Sequence, residues 1–504
     1  MGLSKNLFAG LFILIIFSII YFFRPWIHSM VIYFVKNPII IEVVLIWGIV
    51  NWFLLKRKGK HPRRKKPQVE VMDDVEINVF RPSYINFSMM LFFFLFMVGS
   101  VFSGIIVPLE LSHTLEYKEI SALPDSSSNV RLMPVNIAYR YAKDSLQLSQ
   151  YKLGTENIVN INGSLAWTFP LVPDGELLQL MIKNKGMVIV DATVQEKNAE
   201  IIEKDMEIGE TMQIFDNLFW NLYKEKYFVD FEDPYYIAWN NDVYTVVPVI
   251  SYEYRFYYGL IYALPTFDGV FVVSSDGTIE FLDPNQAQES ELLKNNRIFP
   301  EELVRLYIES YAFKDGLINY FFIHEDQVDI QDLDFNRQPF LLDTEDGLKW
   351  FISTEPYGES HGVFKIFLID ARTGEIGRLE LPSEDTLTGP VKAADFVRKS
   401  NPIVDWTRFG IVEPLPFSRE GKLYWKVVVV PYDSAGIAYQ AFIDAETNDV
   451  VELETNEEIL EFIKGIHVPE KEDVVEEKEE DYIAQIKQKI KEMEELINKL
   501  EEQN

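Results

Sequence analysis

The hydrophobic pattern changes character along the chain. Up to residue 108 apolar residues come in long unbroken runs, from there to about residue 453 they lie in short strands between turns, and at the end they fall on a heptad seam. Asn86–Pro108 (NFSMMLFFFLFMVGSVFSGIIVP) is uncharged and matches the ~20 apolar residues that a bilayer crossing needs. Leu7–Phe23 is an earlier run, followed by Arg24-Pro25-Trp26 rather than a small-residue cleavage site. A further run, Met30–Leu55, is best from Pro38 onward, with Pro38 as a kink or the true start. Three transmembrane helices are predicted within residues 1–108. Arg24–Ser29 is expected to be a short outer turn, and Glu42 to sit near the outer interface beside Lys36.

After Pro108 a polar connector (109–131) leads into a pattern that recurs about every 80–90 residues. Each unit reads as a helix, a strand centred on Trp or Tyr, and a closing strand that runs into a turn and back. The first (132–210) has Val135–Leu146, a strand around Trp167, and Gly186–Val194. The second (211–296) has Thr211–Tyr223, the run VYTVVPVISYEYRF, and Gly269–Leu282. The third (297–386) has Pro300–Phe313, a strand around Trp350, and Gly362–Leu381. The fourth (387–468) has Val391–Ser400, a strand around Trp425, and Ala438–Leu453. Gly277, Gly374 and Asn448 stand where a hairpin turn needs positive φ. A helix covering one face of antiparallel strands makes the fold class α+β. Recurrence of Trp167, Trp350 and Trp425 at matching places predicts core residues rather than a sugar-stacking platform.

Charge sets the expected orientation. Residues 1–108 hold 12 Lys/Arg against 5 Asp/Glu, +7, which leaves −38 for the remainder of a chain whose net charge is −31. Lys56, Arg57, Lys58, Lys60, Arg63, Arg64, Lys65 and Lys66 lie between the second and third apolar runs. By the positive-inside rule they stay in the cytoplasm and determine the topology, with the N-terminus inside and everything after Pro108 exported. Binding of anionic lipid head groups is a second reading of the same cluster. An acidic exported part excludes nucleic acid as a partner. There is no cysteine, so the exported part is held by its apolar cores without disulfides.

The helix, the Trp strand and the turn sequences Ile369–Glu375 and Ile443–Asp449 resemble the PepSY family, small cystatin-like helix-on-sheet domains of exported proteins. The third and fourth units carry the resemblance best. The second keeps only Asp276-Gly277-Thr278, and the first only Asp191-Ala192. The resemblance implies tandem cystatin-like repeats, a role in inhibiting or chaperoning exported peptidases or beside cell-envelope machinery, and no catalytic residues.

The tail (469–504) is a charged spacer followed by a helix whose Ile483, Ile486, Ile490, Met493, Ile497 and Leu500 step by three and four. That is an a/d seam over three heptads, predicting a short coiled coil that joins copies as a dimer or trimer or captures a partner. A lone amphipathic helix docking on the protein is the alternative.

Candidate chemistry is sparse. Gly358-Glu359-Ser360-His361-Gly362 matches G-x-S-x-G, but that motif needs a helix after the serine and the pattern here places a strand. A hydrolase using Ser360 is therefore the weaker alternative to a hairpin loop. Asp326–Asp334 is the densest acidic stretch, without the spacing or central glycine of an EF-hand loop, and reads as solvated, with a weak calcium site as the alternative. The six histidines are scattered, and no phosphate-binding glycine loop is present, so neither cofactor nor metal is expected. Asn162-Gly163-Ser164 fits a glycosylation acceptor. The expected protein is a non-enzymatic, membrane-anchored envelope protein of a cell or virion. Its acidic repeats would bind or assemble partners in the lipid bilayer's neighbourhood: other envelope or virion proteins and copies of itself. An inhibitor or chaperone of an exported peptidase is the rival.

Overall fold

Four helices each lead into an antiparallel meander. The computed structural model that shows this describes residues 2–58, 84–332, 337–358, 362–381, 387–434 and 436–466. Helix α5 (Val135–Ser145) precedes β1 (Asn157–Ile161), β2 (Ser164–Pro173), β3 (Met187–Asp191) and β4 (Ala199–Ile202). Helix α6 (Leu218–Glu225) precedes β5 (Tyr235–Trp239), β6 (Asp242–Tyr257), β7 (Leu260–Val273) and β8 (Ile279–Leu282). Helix α7 (Glu301–Ser310) precedes β9 (Phe340–Thr344), β10 (Gly347–Pro356), β11 (Lys365–Asp370) and β12 (Ile376–Glu380). Helix α8 (Pro390–Ser400) precedes β13 (Phe409–Arg419), β14 (Lys422–Pro431), β15 (Tyr439–Asp444) and β16 (Val450–Leu453). In every sheet the four strands pair in chain order. The protein is thus mixed α/β with several separate sheets.

One joint holds helix to sheet in three of the four. The alanine after the third strand, Ala192, Ala371 or Ala445, is fully buried. Its N–H donates to the start of the second strand, at Leu165, Leu348 or Leu423. Its carbonyl accepts from the residues leading into the helix: Leu132 and Met133, Ile298 and Phe299, or Thr388. One strand beyond, the indoles of Trp167, Trp350 and Trp425 donate to the carbonyls of Met133, Phe299 and Thr388. The preceding aspartate folds the turn: Asp370 Oδ1 accepts from Arg372 and Thr373 N–H, and Asp444 Oδ1 from Glu446 and Thr447 N–H. Gly374 has φ +78°, and a Cβ there would strike the Phe299 ring, so both conformation and space require glycine. In the second meander Ser275 stands in the alanine's place, its carbonyl accepting from Glu207 N–H.

The cores are shared between neighbours. Val159 packs with Tyr235, Val246 and Val270, joining the first and second meanders. Ile250 and Leu264 pack with Leu303, Val304 and Trp350, joining the second and third. Phe351 and Leu368 pack with Trp425 and Val427, joining the third and fourth. Val428 and Val430 pack with Trp167 and Phe169, so the fourth closes back on the first. The polar connector is built into this body. Tyr117–Glu119 adds to β12 as a parallel strand, Ser126 exchanges hydrogen bonds with Ser418, and the Asn129 side chain joins Asp343 to Leu165 N–H. Little in its hydropathy announces this, because these contacts are made by main-chain groups and short polar side chains.

The apolar N-terminal runs are helices α1 (Gly2–Phe22), α2 (Arg24–Lys36), α3 (Pro38–Lys58) and α4 (Tyr84–Thr114). One of them, over Ser88–Thr114, is long and apolar enough to cross a membrane. Its helix runs past Pro108, because Ile106 and Leu111 join the core between the second and third meanders. The stretch expected as an outer turn, Arg24–Ser29, is instead the first half of α2, which meets α1 at 91°. Pro25 suits the first turn of a helix, and the buried face of α2 is polar (Arg24, His28, then Ile32), so hydropathy alone hides it. Pro38 is the true start of α3. Helices α3 and α4 lie side by side: the Trp47 indole donates to Ser88, and Ser88 Oγ donates to Asn51.

Residues 453–466 belong to a second unit. It holds a short helix, Asn456–Ile463, whose Thr455 hydroxyl accepts from Glu458 N–H while the Glu458 side chain accepts from Thr455 N–H. The heptad residues Ile483, Ile486, Ile490, Met493, Ile497 and Leu500 lie outside the described residues.

Candidate functional site

A cleft lined by convergent polar groups opens where α4 meets the second and third meanders. Gly104 and Pro108 on α4 leave space against Leu306 of α7, and two cavities of about 350 and 500 Å³ share these three residues. Pro108 cannot donate to the carbonyl four residues back, that of Gly104, and Gly104 has no side chain, so this part of α4 is narrow. Both volumes are in the range that holds a small organic ligand.

In the first cavity Lys36, at the end of α2, ion-pairs with Asp230. Tyr252 on β6 donates its O–H to Asp230 Oδ2 at 2.6 Å. Burial and the adjacent Asp230 carboxylate push the Tyr252 phenol far up, so it stays a neutral donor. Asp230 is therefore held by a cation and a phenol, and Glu302 adds a further carboxylate to the wall. In the second cavity Arg305 is held by Asp332 through two parallel bonds of 2.9 and 2.8 Å, by Glu309 at 2.7 Å, and by the Gln338 carbonyl at 2.9 Å. The arrangement can hold an amphipathic group by apolar contact and one ion pair.

Helix α2 makes the neighbouring joint. Arg24 is buried, donates to the Trp220 carbonyl at 2.8 Å, and lies over the Trp220 ring at 3.8 Å. His28 bonds the Val229 carbonyl at 2.9 Å and stacks on Tyr223. Sequence reasoning missed Arg24, His28, Asp230 and Tyr252; the one available signal was two polar residues four apart between two apolar runs. Glu42 accepts from Ile261 N–H at 3.3 Å, and Lys36 pairs with Asp230 rather than with Glu42.

The other candidates are placed as follows. Lys56 lies at the end of α3 over the Trp52 ring, and α3 runs on through Arg57 and Lys58. Lys60, Arg63, Arg64, Lys65 and Lys66 are outside the described residues, as are Ser360 and His361. The strands that flank Ser360, β10 and β11, pair antiparallel with each other, so the segment joins strand to strand. In the acidic stretch Asp332 is committed to Arg305 and Asp326 approaches Lys365 at 3.8 Å; Asp334 is outside the described residues. Among the described residues no three His, Asp or Glu are grouped to hold a metal ion. Trp167, Trp350 and Trp425 are buried core residues.

No known protein family and no curated protein matches this chain.

Proposed function

We propose that the chain is a non-enzymatic, membrane-anchored protein of a cell envelope or virion, whose acidic β-rich part serves outside the membrane as a binding and assembly scaffold. Three helices, α1, α3 and α4, cross the bilayer with the N-terminus and the Lys56–Lys66 cluster inside. The four helix-on-sheet units are PepSY-like, and the C-terminal heptads join copies into a dimer or trimer. The observation that carries this reading is the seat of α4: Ile106 and Leu111 belong to the same core as Leu303, Trp350 and Phe367, so the helix that can cross a membrane and the sheets are one body. A rigid seat of this kind suits a scaffold that holds its binding surface at a fixed height above a bilayer, and the acidic surface suits basic partners.

The test is crosslinking mass spectrometry in the native membrane, with protease added to intact and to opened vesicles. Digestion of residues 115–466 in intact vesicles, with stoichiometric crosslinks to envelope proteins or to other copies, is the expected result. Protection in intact vesicles would overturn the sidedness, and a trapped peptidase as the sole partner would replace the scaffold by an inhibitor.

A further inference from the structure

Soluble proteins rarely leave large contiguous apolar patches bare, yet large apolar side chains stand exposed on four separate segments of this body. The first is Glu176–Met181, a short helical turn between β2 and β3, where Leu177 and Met181 are 75% and 78% exposed. The second is the lead-in to α6, with Phe215 exposed. The third is the far end of the β6–β7 hairpin. There Tyr254 and Phe256 alternate onto one face and Tyr258 forms the tip, 93% exposed. The fourth is the π-helical turn Asn319–Ile323, with Phe322 80% exposed.

Contacts place three of the four beside the apolar helices and the first beside the second. Phe215 packs edge-on against Phe22 at the end of α1, and Gln213 reaches Gln179 of the first segment at 3.3 Å. The hairpin's Ile261 N–H bonds Glu42 near the start of α3. Tyr320 packs on Phe313 beside Ile105 and Leu109 of α4. The ends of α1 and α4 and the start of α3 are the ends that would emerge together on one side if these helices cross in alternation. Helix α2, bent flat between them, turns Trp26 and Met30 outward at 73% and 61% exposure.

From this continuity with the membrane-crossing helix we infer that the four segments and the outward face of α2 form a collar that inserts into the outer leaflet. Its partner is the lipid surface at the boundary between head groups and acyl chains, where aromatic side chains are favoured. The collar fixes the tilt of the β-rich body and keeps the Lys36–Asp230 cleft open toward lipid. This inference rests on the reading of α4 as a membrane span, and the experiment separates the two.

The chain has no native cysteine, so single cysteines can carry an environment-sensitive fluorophore on the full protein in phosphatidylcholine nanodiscs. Positions are Met181→Cys, Phe256→Cys and Phe322→Cys, with Phe94→Cys in α4 as the membrane reference and Ile403→Cys, 94% exposed, as the water reference. Spin-labelled acyl chains should quench all three collar positions and shift their emission to the blue, as at Phe94, and leave Ile403 unchanged. If Phe94 is quenched and the three are not, the collar is wrong while the span stands. If Phe94 is not quenched, the anchoring itself fails. Blue shifts that need two copies per disc and no lipid quenching would show a second copy covering the face and overturn the inference.

Discussion

Trp425 donates its indole N–H to the carbonyl of Thr388 at 2.6 Å, tying the second strand of the fourth meander to the residue before the Gly389–Pro390 helix start. Trp350 makes the same link to Phe299 at 3.4 Å, and Trp167 to Met133 at 2.8 Å. A buried carbonyl that loses its donor costs about 1–3 kcal/mol. Trp425→Phe keeps an aromatic ring in the core but removes the donor, so it should lower the unfolding midpoint of the full chain in detergent. Trp350→Phe, which breaks a longer bond, should lower it less. Equal effects for the two would show that ring volume, not the hydrogen bond, is what the site requires.

Arg24 and Trp220 should couple the first two helices to the second meander. A hydrogen bond to a charged group contributes about 1.5–3 kcal/mol, and the guanidinium also stacks on the indole. Arg24→Ala should therefore speed hydrogen exchange across α2 and α6 while leaving the fourth meander protected. Arg24→Lys should rescue only in part, since an ammonium lacks the planar face. Uniform loss of protection through all four meanders would refute a local joint.

How far these features could be read beforehand depends on what carries them. The helix–meander recurrence is legible because the Asp-Ala turn, the spaced tryptophans and the positive-φ positions at Gly277, Gly374 and Asn448 are side-chain signals, and all three positions have positive φ. The cleft was not legible. It depends on Asp230, in a strand of two residues, and on Tyr252, about two thirds of the way along a strand that carries on for five further residues. Lys36 looked as if it should serve Glu42, the nearer acid in sequence, but the fold gives Glu42 to a main-chain N–H. The strap at residues 117–132 and the closing of the fourth sheet on the first are long-range pairings with no local periodicity. The polar inner face of α2 inverts the usual rule that the apolar side of a helix is the buried one.

Glu232 should make stability depend on pH. Its buried carboxyl accepts from Glu301 N–H through both oxygens at 2.9 Å, and burial pushes its pKa up to about 8, with Arg297 opposing the shift. The unfolded chain releases this proton near the ordinary carboxylate value, while the folded chain keeps it until about pH 8. Between those limits the folded state binds more protons, so stability should fall as pH rises and level off above the folded pKa. Glu232→Gln should flatten that slope in a series of thermal unfolding curves. An unchanged slope would assign it to other groups.

Lys426 gives the opposite trend. It is 1% exposed at the junction of the connector with the first and fourth meanders, with its Nζ 3.5 Å from Gln440 Oε1. Burial pulls its pKa down to about 7, with Glu413 opposing the fall and Arg131 adding to it. Between about pH 7 and the ordinary lysine value the unfolded chain carries one proton more than the folded chain. Wild-type stability should therefore rise with pH across that window, and below pH 7 the full cost of burying the ammonium remains. Lys426→Met replaces the amine with an apolar chain of similar length and leaves Gln440 Oε1 without this partner, a loss of about 1 kcal/mol. That loss is smaller than the cost removed, so the variant should be more stable than wild type at pH 6, and the gap should close towards pH 10. A variant less stable at pH 6 would mean that the ammonium is solvated by groups or water that offset its burial, and that Lys426 is a structural cation rather than a strained one.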